Sequence, residues 1–395
     1  MILGLQISVG QYEGYSLSNW EEQLEIEELF FKNLDATSFK NHLKKLTERP
    51  HVVGSKTNTA VQKYMAQVME NAGLKVTNYA YDVYLPKNPG NSLIEIVTPK
   101  RVVLNQKEDI LQEDPFTKDP LLWKGWNAFS GSGEVTAEVV YANFGRKEDF
   151  ENLKELGVEV EGKIVLARYG GNFRGFKAKF AEANGAAGLI IFTDPKDSGY
   201  TKGLYDREGP YYNEYTIQRG SLLTTDFTGD PLTPFEPALP LDGKKKIKRL
   251  DPKEAQLHSI PVTPIAYGEA EKILSQMKGK PVPQNWQGGL PFTYRLEGGE
   301  SLSVSLKVEQ KIDFVRATNV VGMLKGSENP DEWIILGCHF DAWGFGATDP
   351  NSGTAMLLSL SETLGKLKSL GYGPKRSILI GHWDAEEHGV IGSSE

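Results

Sequence analysis

Trp333-Ile334-Ile335-Leu336-Gly337-Cys338-His339-Phe340-Asp341 and Ser377-Ile378-Leu379-Ile380-Gly381-His382-Trp383-Asp384-Ala385-Glu386-Glu387 decide the fold. Each is a short apolar run that ends in side chains able to carry charge. Between them Met356, Leu357, Leu360, Leu364 and Leu367 recur at helical spacing. Strand, helix and strand in that order imply a βαβ unit in a parallel sheet, since parallel strands need a crossover. In open α/β sheets ligands gather beyond the carboxyl ends of the strands. Here His339, Asp341 and Asp349 follow one strand, and Asp384, Glu386 and Glu387 follow the other. One imidazole and several carboxylates aimed into one crevice repel unless a dication neutralises them, and this ligand set suits zinc in a hydrolytic site. The adjacent Glu386 and Glu387 can divide labour, one binding metal while the other handles the proton of the attacking water.

Other chemistries fit poorly. His382 to His388 does not match the metalloprotease helix motif His-Glu-x-x-His or its inverse. There is no nucleophile elbow Gly-x-Ser-x-Gly and no phosphate loop. Gly344-Phe345-Gly346 lacks the third glycine of a dinucleotide fingerprint. A net charge of −8 argues against nucleic acid or an anionic membrane as partner. The basic run Lys244-Lys245-Lys246-Ile247-Lys248-Arg249 reads as a solvated loop. The single cysteine, Cys338, forms no internal disulfide and no thiolate zinc site. No run approaches the ~20 apolar residues of a membrane span, and Met1 to Gly10 lacks the form of a signal peptide.

Working outward, 395 residues favour two domains or one domain with a large insertion. Glu21 to Leu29 reads as a short helix. Val61, Tyr64, Met65, Val68, Met69 and Ala72 mark a helix closed by Gly73. Val76 to Leu85 and Leu93 to Val97, parted by Pro86, Pro89 and Gly90, read as neighbouring strands. After a charged, prolyl boundary near Gln106 to Pro120, strands are expected at Glu138 to Ala142, Lys163 to Arg168 and Leu189 to Phe192, with a helix at Phe176 to Asn184. Gly203 to Pro240 reads as long ordered loops.

Arg49-Pro50-His51-Val52-Val53-Gly54-Ser55, Gly162-Lys163-Ile164-Val165-Leu166-Ala167-Arg168-Tyr169-Gly170, Gln218-Arg219-Gly220 and Gly229-Asp230-Pro231-Leu232-Thr233-Pro234 lead in order to the two acidic motifs. With them the chain resembles the glutamate carboxypeptidase II and transferrin receptor-like zinc exopeptidase family from about residue 36 onward. The resemblance implies an α/β phosphorylase/hydrolase-like peptidase fold, a mixed sheet with helices on both faces, interrupted by a protease-associated (apical) domain. The implied division is 1–35 as an N-terminal segment, 36–104 and 314–395 as two parts of the peptidase domain, and 105–313 as the apical domain.

The same resemblance implies two Zn2+ ions. His339 would bind one, Asp349 both and Glu387 the other, with Glu386 as general base and Asp341 orienting the histidine. Arg174 would grip a substrate carboxylate, with Phe173 and Ser221 beside it. Ser221 stands where the family has asparagine, a departure that bears on preference for a C-terminal glutamate. Thr233 and Glu395, with Glu236 in place of an aromatic residue, correspond to a structural Ca2+ site. A further aspartate and histidine ligand are expected downstream, so that the chain as given binds zinc weakly. A small peptide substrate, a homodimer and an extracytoplasmic location are implied as well. Competing readings are an aminopeptidase or dipeptidase on the same scaffold, and a transferrin receptor-like binding protein without working metal sites.

Overall fold

The computed structural model describes residues 17–202 and 212–395. The start of the chain and residues 203–211 of the expected long loops lie outside the described residues. Three helices lead in, α1 (Leu17–Asn33), α2 (Ala36–Leu46) and α3 (Lys56–Asn71). Asp35 caps α2 by accepting from the Thr37 amide (2.8 Å) and Ser55 caps α3 by accepting from the Asn58 amide (3.0 Å). Gly73 ends α3 at φ +83°, in the left-handed region that glycine adopts without strain.

The chain runs out along β1 (Lys75–Pro86) into an inserted unit. That unit comprises β2 (Asn91–Thr98), β3 (Val102–Val103), β4 (Asn127–Ala128), β5 (Gly133–Tyr141), α4 (Lys147–Glu155), β6 (Ile164–Arg168), α5 (Arg174–Ala183), β7 (Gly188–Phe192), α6 (Pro195–Ser198), β8 (Gly220–Ser221), β9 (Val262–Ile265), α7 (Tyr267–Leu274) and β10 (Ser303–Glu309). The chain returns on β11 (Ile312–Leu324), then β12 (Asn329–His339), α8 (Asn351–Ser369), β13 (Arg376–Trp383) and the short α9 (Ile391–Ser394). Pro86 at the exit lies opposite Ile312 at the return. Both ends of the insertion therefore emerge side by side, so the unit can be accommodated without disturbing the parent sheet.

The parent sheet has the order β1-β11-β13-β12. β11 is antiparallel to both neighbours, and β12 and β13 are parallel across α8, so the expected βαβ unit forms within a mixed sheet. Leu46, Met65, Met69, Leu358 and Ile380 fill the layer between this sheet and α2, α3 and α8. Each such side chain contributes about 1.5–3 kcal/mol when fully buried. β12 is an edge strand, and its Trp333, Ile334 and Ile335 face solvent.

The inserted unit has its own seven-stranded sheet, β3-β2-β10-β5-β6-β7-β9, and its own core. The expected strands and helix over residues 138–192 appear as β5, β6, α5 and β7. One expectation fails. The strand at Leu93 to Val97 lies not beside β1 but against β10 in the second sheet. After Pro86 the chain passes the end of β10 at Gly90, where a β-carbon would run into the Glu309 carbonyl, so glycine permits the close approach that this pairing needs. Gln106, expected in a boundary, is buried and donates to the Thr263 hydroxyl of β9 (3.0 Å). Lys244, Lys245, Lys246 and Lys248 are exposed as expected, while Arg249 donates to the Leu239 carbonyl (2.7 Å).

A third cluster, with Val52, Val83, Trp126, Phe129, Trp343, Ala385 and Ile391, draws on both units and forms their joint. Close approach also governs the helices. A β-carbon on Gly365 of α8 would collide with the Ala72 carbonyl at the end of α3. Gly to Ala inside a helix ordinarily stabilises by up to about 1 kcal/mol. Here Gly365→Ala is expected to destabilise by about 1–3 kcal/mol through overpacking, measurable by chemical denaturation.

Candidate metal centre

Strand register sets the level of the site. Cys338 lies beside His382 and His339 beside Trp383, so β12 and β13 end together. Past those ends the two loops are tied by one carboxylate. Asp341, buried, accepts from the Glu386 amide through Oδ1 (2.9 Å) and from the Glu387 amide through Oδ2 (3.3 Å). His339 Nδ1 bonds to the Asp341 carbonyl (3.2 Å), with the Asp341 Oδ1 beside it at 3.5 Å. The opposite nitrogen, Nε2, faces Asp349 Oδ1 at 2.9 Å and Glu386 Oε2 at 3.6 Å. Both nitrogens face acceptors, so the ring is held as a cation here, and a metal at Nε2 would take the place of the proton on that side while Nδ1 keeps its own.

The electrostatics state the same need. Burial alone would depress the His339 imidazole, but hydrogen bonds with Asp341 and Asp349 and the charge of Glu386 lift it to about 11. The hydrogen bond with His339 holds Asp349 below the ordinary carboxylate range. Burial, then the nearby carboxylates, push Glu386 up and Glu387 up to about 8. Four carboxylates around one imidazole hold excess negative charge that a dication would neutralise, and the donor set suits zinc. Among the described residues no three His, Cys, Asp or Glu side chains close on a single point.

Asp384, to which the sequence reading gave no individual role, holds the second loop. It is fully buried and accepts from Asn58 Nδ2 (3.0 Å), Gln62 Nε2 (3.1 Å), the Thr318 amide (3.0 Å) and the Ala385 amide (3.0 Å). Burial and the charge of Asp341 push its carboxyl up. The next residue, Ala385, adopts φ +58°, in the left-handed region, and Glu386 after it lies 3.6 Å from His339 Nε2. Two further supports lay outside the acidic motifs. Thr354 donates to the His339 carbonyl (2.7 Å), and Asn351 meets His51 Nε2 (3.2 Å).

The inserted unit closes one side. Arg174 opens α5 with its guanidinium over Phe173 (5.2 Å) and Tyr169 (6.0 Å), and Nη1 donates to the Ser221 carbonyl (3.4 Å). Its positive charge reaches Glu386. Phe173 is exposed beneath it. Ser221 is buried, and its hydroxyl donates to the His388 carbonyl (2.8 Å) and accepts from the Leu223 amide (3.0 Å). That hydroxyl is therefore committed to the peptidase loop rather than turned toward the crevice.

Thr233, Glu236 and Glu395 line a separate cleft with Phe227 and Phe235. There Glu395 accepts from the Asp230 amide (2.8 Å) and the Ala238 amide, and the Thr233 hydroxyl donates to Asp230 (2.9 Å).

Residues 319–395, which hold His339, Asp341, Asp349, Glu386 and Glu387, match peptidase family M28, and residues 135–222, which hold Arg174 and Ser221, match the PA domain. The chain therefore carries a peptidase family M28 segment beside a PA domain. It is 37% identical over 379 residues to a glutamate carboxypeptidase 2 homolog of Caenorhabditis briggsae, covering 92% of this chain and 49% of that protein. It is 33% identical over 430 residues to aminopeptidase NAALADL1 of Rattus norvegicus, covering 100% of this chain and 56% of that one. The chain thus spans about half the length of the curated relatives it matches. The fold is shared with an aminopeptidase from Aneurinibacillus sp. strain AM-1, at TM-score 0.52 and 20% identity over 92% of this chain and 66% of that one. It is shared too with a peptidase M28 precursor from Shewanella amazonensis SB2B, at TM-score 0.56 and 17% identity over 95% and 70%.

In the M28 segment Asp384 supports the glutamate turn with four accepted hydrogen bonds. Asp384→Asn turns an amide NH2 against groups that can only donate. It is expected to destabilise the protein by about 1–3 kcal/mol, read from the midpoint and slope of urea unfolding.

Proposed function

We propose that the protein is a co-catalytic dizinc exopeptidase of the carboxypeptidase type, acting on small peptides or N-acylated dipeptides with an acidic C-terminal residue. The observation that carries this reading is the single carboxylate of Asp341 joining His339 to the Glu386-Glu387 turn. His339, Asp349 and Glu387 would hold zinc, which supplies a water of lowered pKa and polarises the scissile carbonyl. Glu386, at 3.6 Å from His339, would take the proton of that water and return it to the leaving amine. Asp341 would hold the Nδ1 proton of His339 through its carbonyl at 3.2 Å and its carboxylate at 3.5 Å. Arg174, a planar two-pronged cation facing the same crevice, would hold the terminal carboxylate, with Phe173 flanking it.

The carboxypeptidase name of the Caenorhabditis relative supports this reading. The aminopeptidase names of NAALADL1 and of the solved neighbour support a second one, an aminopeptidase on the same scaffold. Arg174 separates the two. A structural Ca2+ at Thr233, Glu236 and Glu395, a homodimer and an extracytoplasmic location belong to the same proposal, carried over from the resemblance. No helix among the described residues is long and apolar enough to cross a membrane.

The test uses the full-length protein. Glu386→Gln is expected to keep its zinc, measured by elemental analysis, while kcat falls about 10²- to 10⁴-fold. Arg174→Ala is expected to raise KM for a peptide with a free terminal carboxylate and to leave KM for its C-terminal amide unchanged. Equal effects on both, or none, would favour the aminopeptidase. Unchanged kcat in Glu386→Gln would remove Glu386 from the reaction.

A further inference from the structure

His388 follows Glu387 in the chain and is held by three segments at once. Its ring lies 4.7 Å from Trp343 of the metal loop, and 6.1 and 6.2 Å from Trp126 and Phe129 of the inserted unit, centroid to centroid. Its Nε2 is 2.9 Å from the carbonyl of Pro86, at the end of β1 where the chain leaves for that unit. A carbonyl only accepts, so Nε2 carries the ring proton. Nδ1 is buried without a partner. The His388 carbonyl accepts from the Ser221 hydroxyl of β8 (2.8 Å).

The other residue of β8, Gly220, lies under Arg174, and a β-carbon there would collide with the guanidinium. One two-residue strand thus supports Arg174 on one side and fastens His388 on the other. The three anchors of His388 are the parts whose relative placement the site requires: the metal loop, the root of the insertion and the strand behind Arg174. A side chain that only filled space would not need a ring nitrogen bonded to the Pro86 carbonyl.

We propose that His388 is a positioning residue that fixes Glu387 relative to Arg174, so that the inserted unit sets the span between the metal ligand and the anion-binding arginine. The inference rests on the metallopeptidase reading above and adds a route by which the inserted unit acts on the metal.

The test measures zinc affinity by competition with a chromophoric chelator, melting temperature, and KM and kcat, all on the full-length protein. His388→Ala is expected to weaken zinc binding about 10- to 100-fold, the usual cost of losing an outer support of a ligand. His388→Phe, which keeps the ring and loses the donor, is expected to recover part of that loss. Ser221→Ala is expected to raise KM for a peptide with a free terminal carboxylate. A lower melting temperature with wild-type zinc affinity and KM in His388→Ala would make the ring a packing group and overturn the proposal. Should His388→Ala fail to fold, wild-type values in both His388→Phe and Ser221→Ala would overturn it equally. Failure of the unsubstituted protein to bind zinc would instead overturn the metallopeptidase reading, and this inference with it.

Discussion

The buried carboxylate of Asp341 is the constraint on which the site depends. Two parallel strands deliver their loops to one level, but register alone does not fix what lies beyond the strand ends. Asp341 does so by accepting from two successive amides of the β13 loop while facing Nδ1 of the β12 histidine. A buried carboxylate is costly unless its lone pairs are satisfied. Here it is satisfied only when both loops are in place, so the penalty of misplacing either loop enforces the geometry. The Nε2 face of His339 then looks onto the Asp349 and Glu386 carboxylates.

Asp384 repeats the device one layer deeper. Its four donors come from α3, β11 and its own loop, and they stabilise the left-handed turn at Ala385. The acidic motif is therefore divided. Asp384 and Asp341 are spent on holding backbone, while Glu386, Glu387 and Asp349 remain free to act on something in the crevice. On the far side, the insertion leaves and returns at the paired residues Pro86 and Ile312, close to the same loops. Through Trp126, Phe129 and Ser221 the inserted unit packs directly onto the segment that follows Glu387.

The βαβ unit, the strand ends and their acidic and imidazole residues were legible because each element carries its own period and the chemistry lies just beyond it. The strands and helix of residues 138–192 were legible for the same reason. The pairing of β2 was not, since alternation marks a strand without naming its partner. Asp384 was visible as one more acid in the motif, but its donors Asn58 and Gln62 are more than three hundred residues away in sequence. Ser221 was read by position as a substrate contact, and no local signal tells that its hydroxyl turns to the His388 carbonyl. Long-range polar pairing is what a sequence pattern does not display.

The most direct measurement is anomalous X-ray scattering at the zinc absorption edge from crystals of the full-length protein grown with zinc. The account predicts zinc about 2.0–2.2 Å from His339 Nε2 and from carboxylate oxygens of Asp349 and Glu387, with Asp341 still bonded to the Glu386 and Glu387 amides. Zinc bound through His339 Nδ1, zinc at some other cluster, or no anomalous signal at this crevice would contradict it.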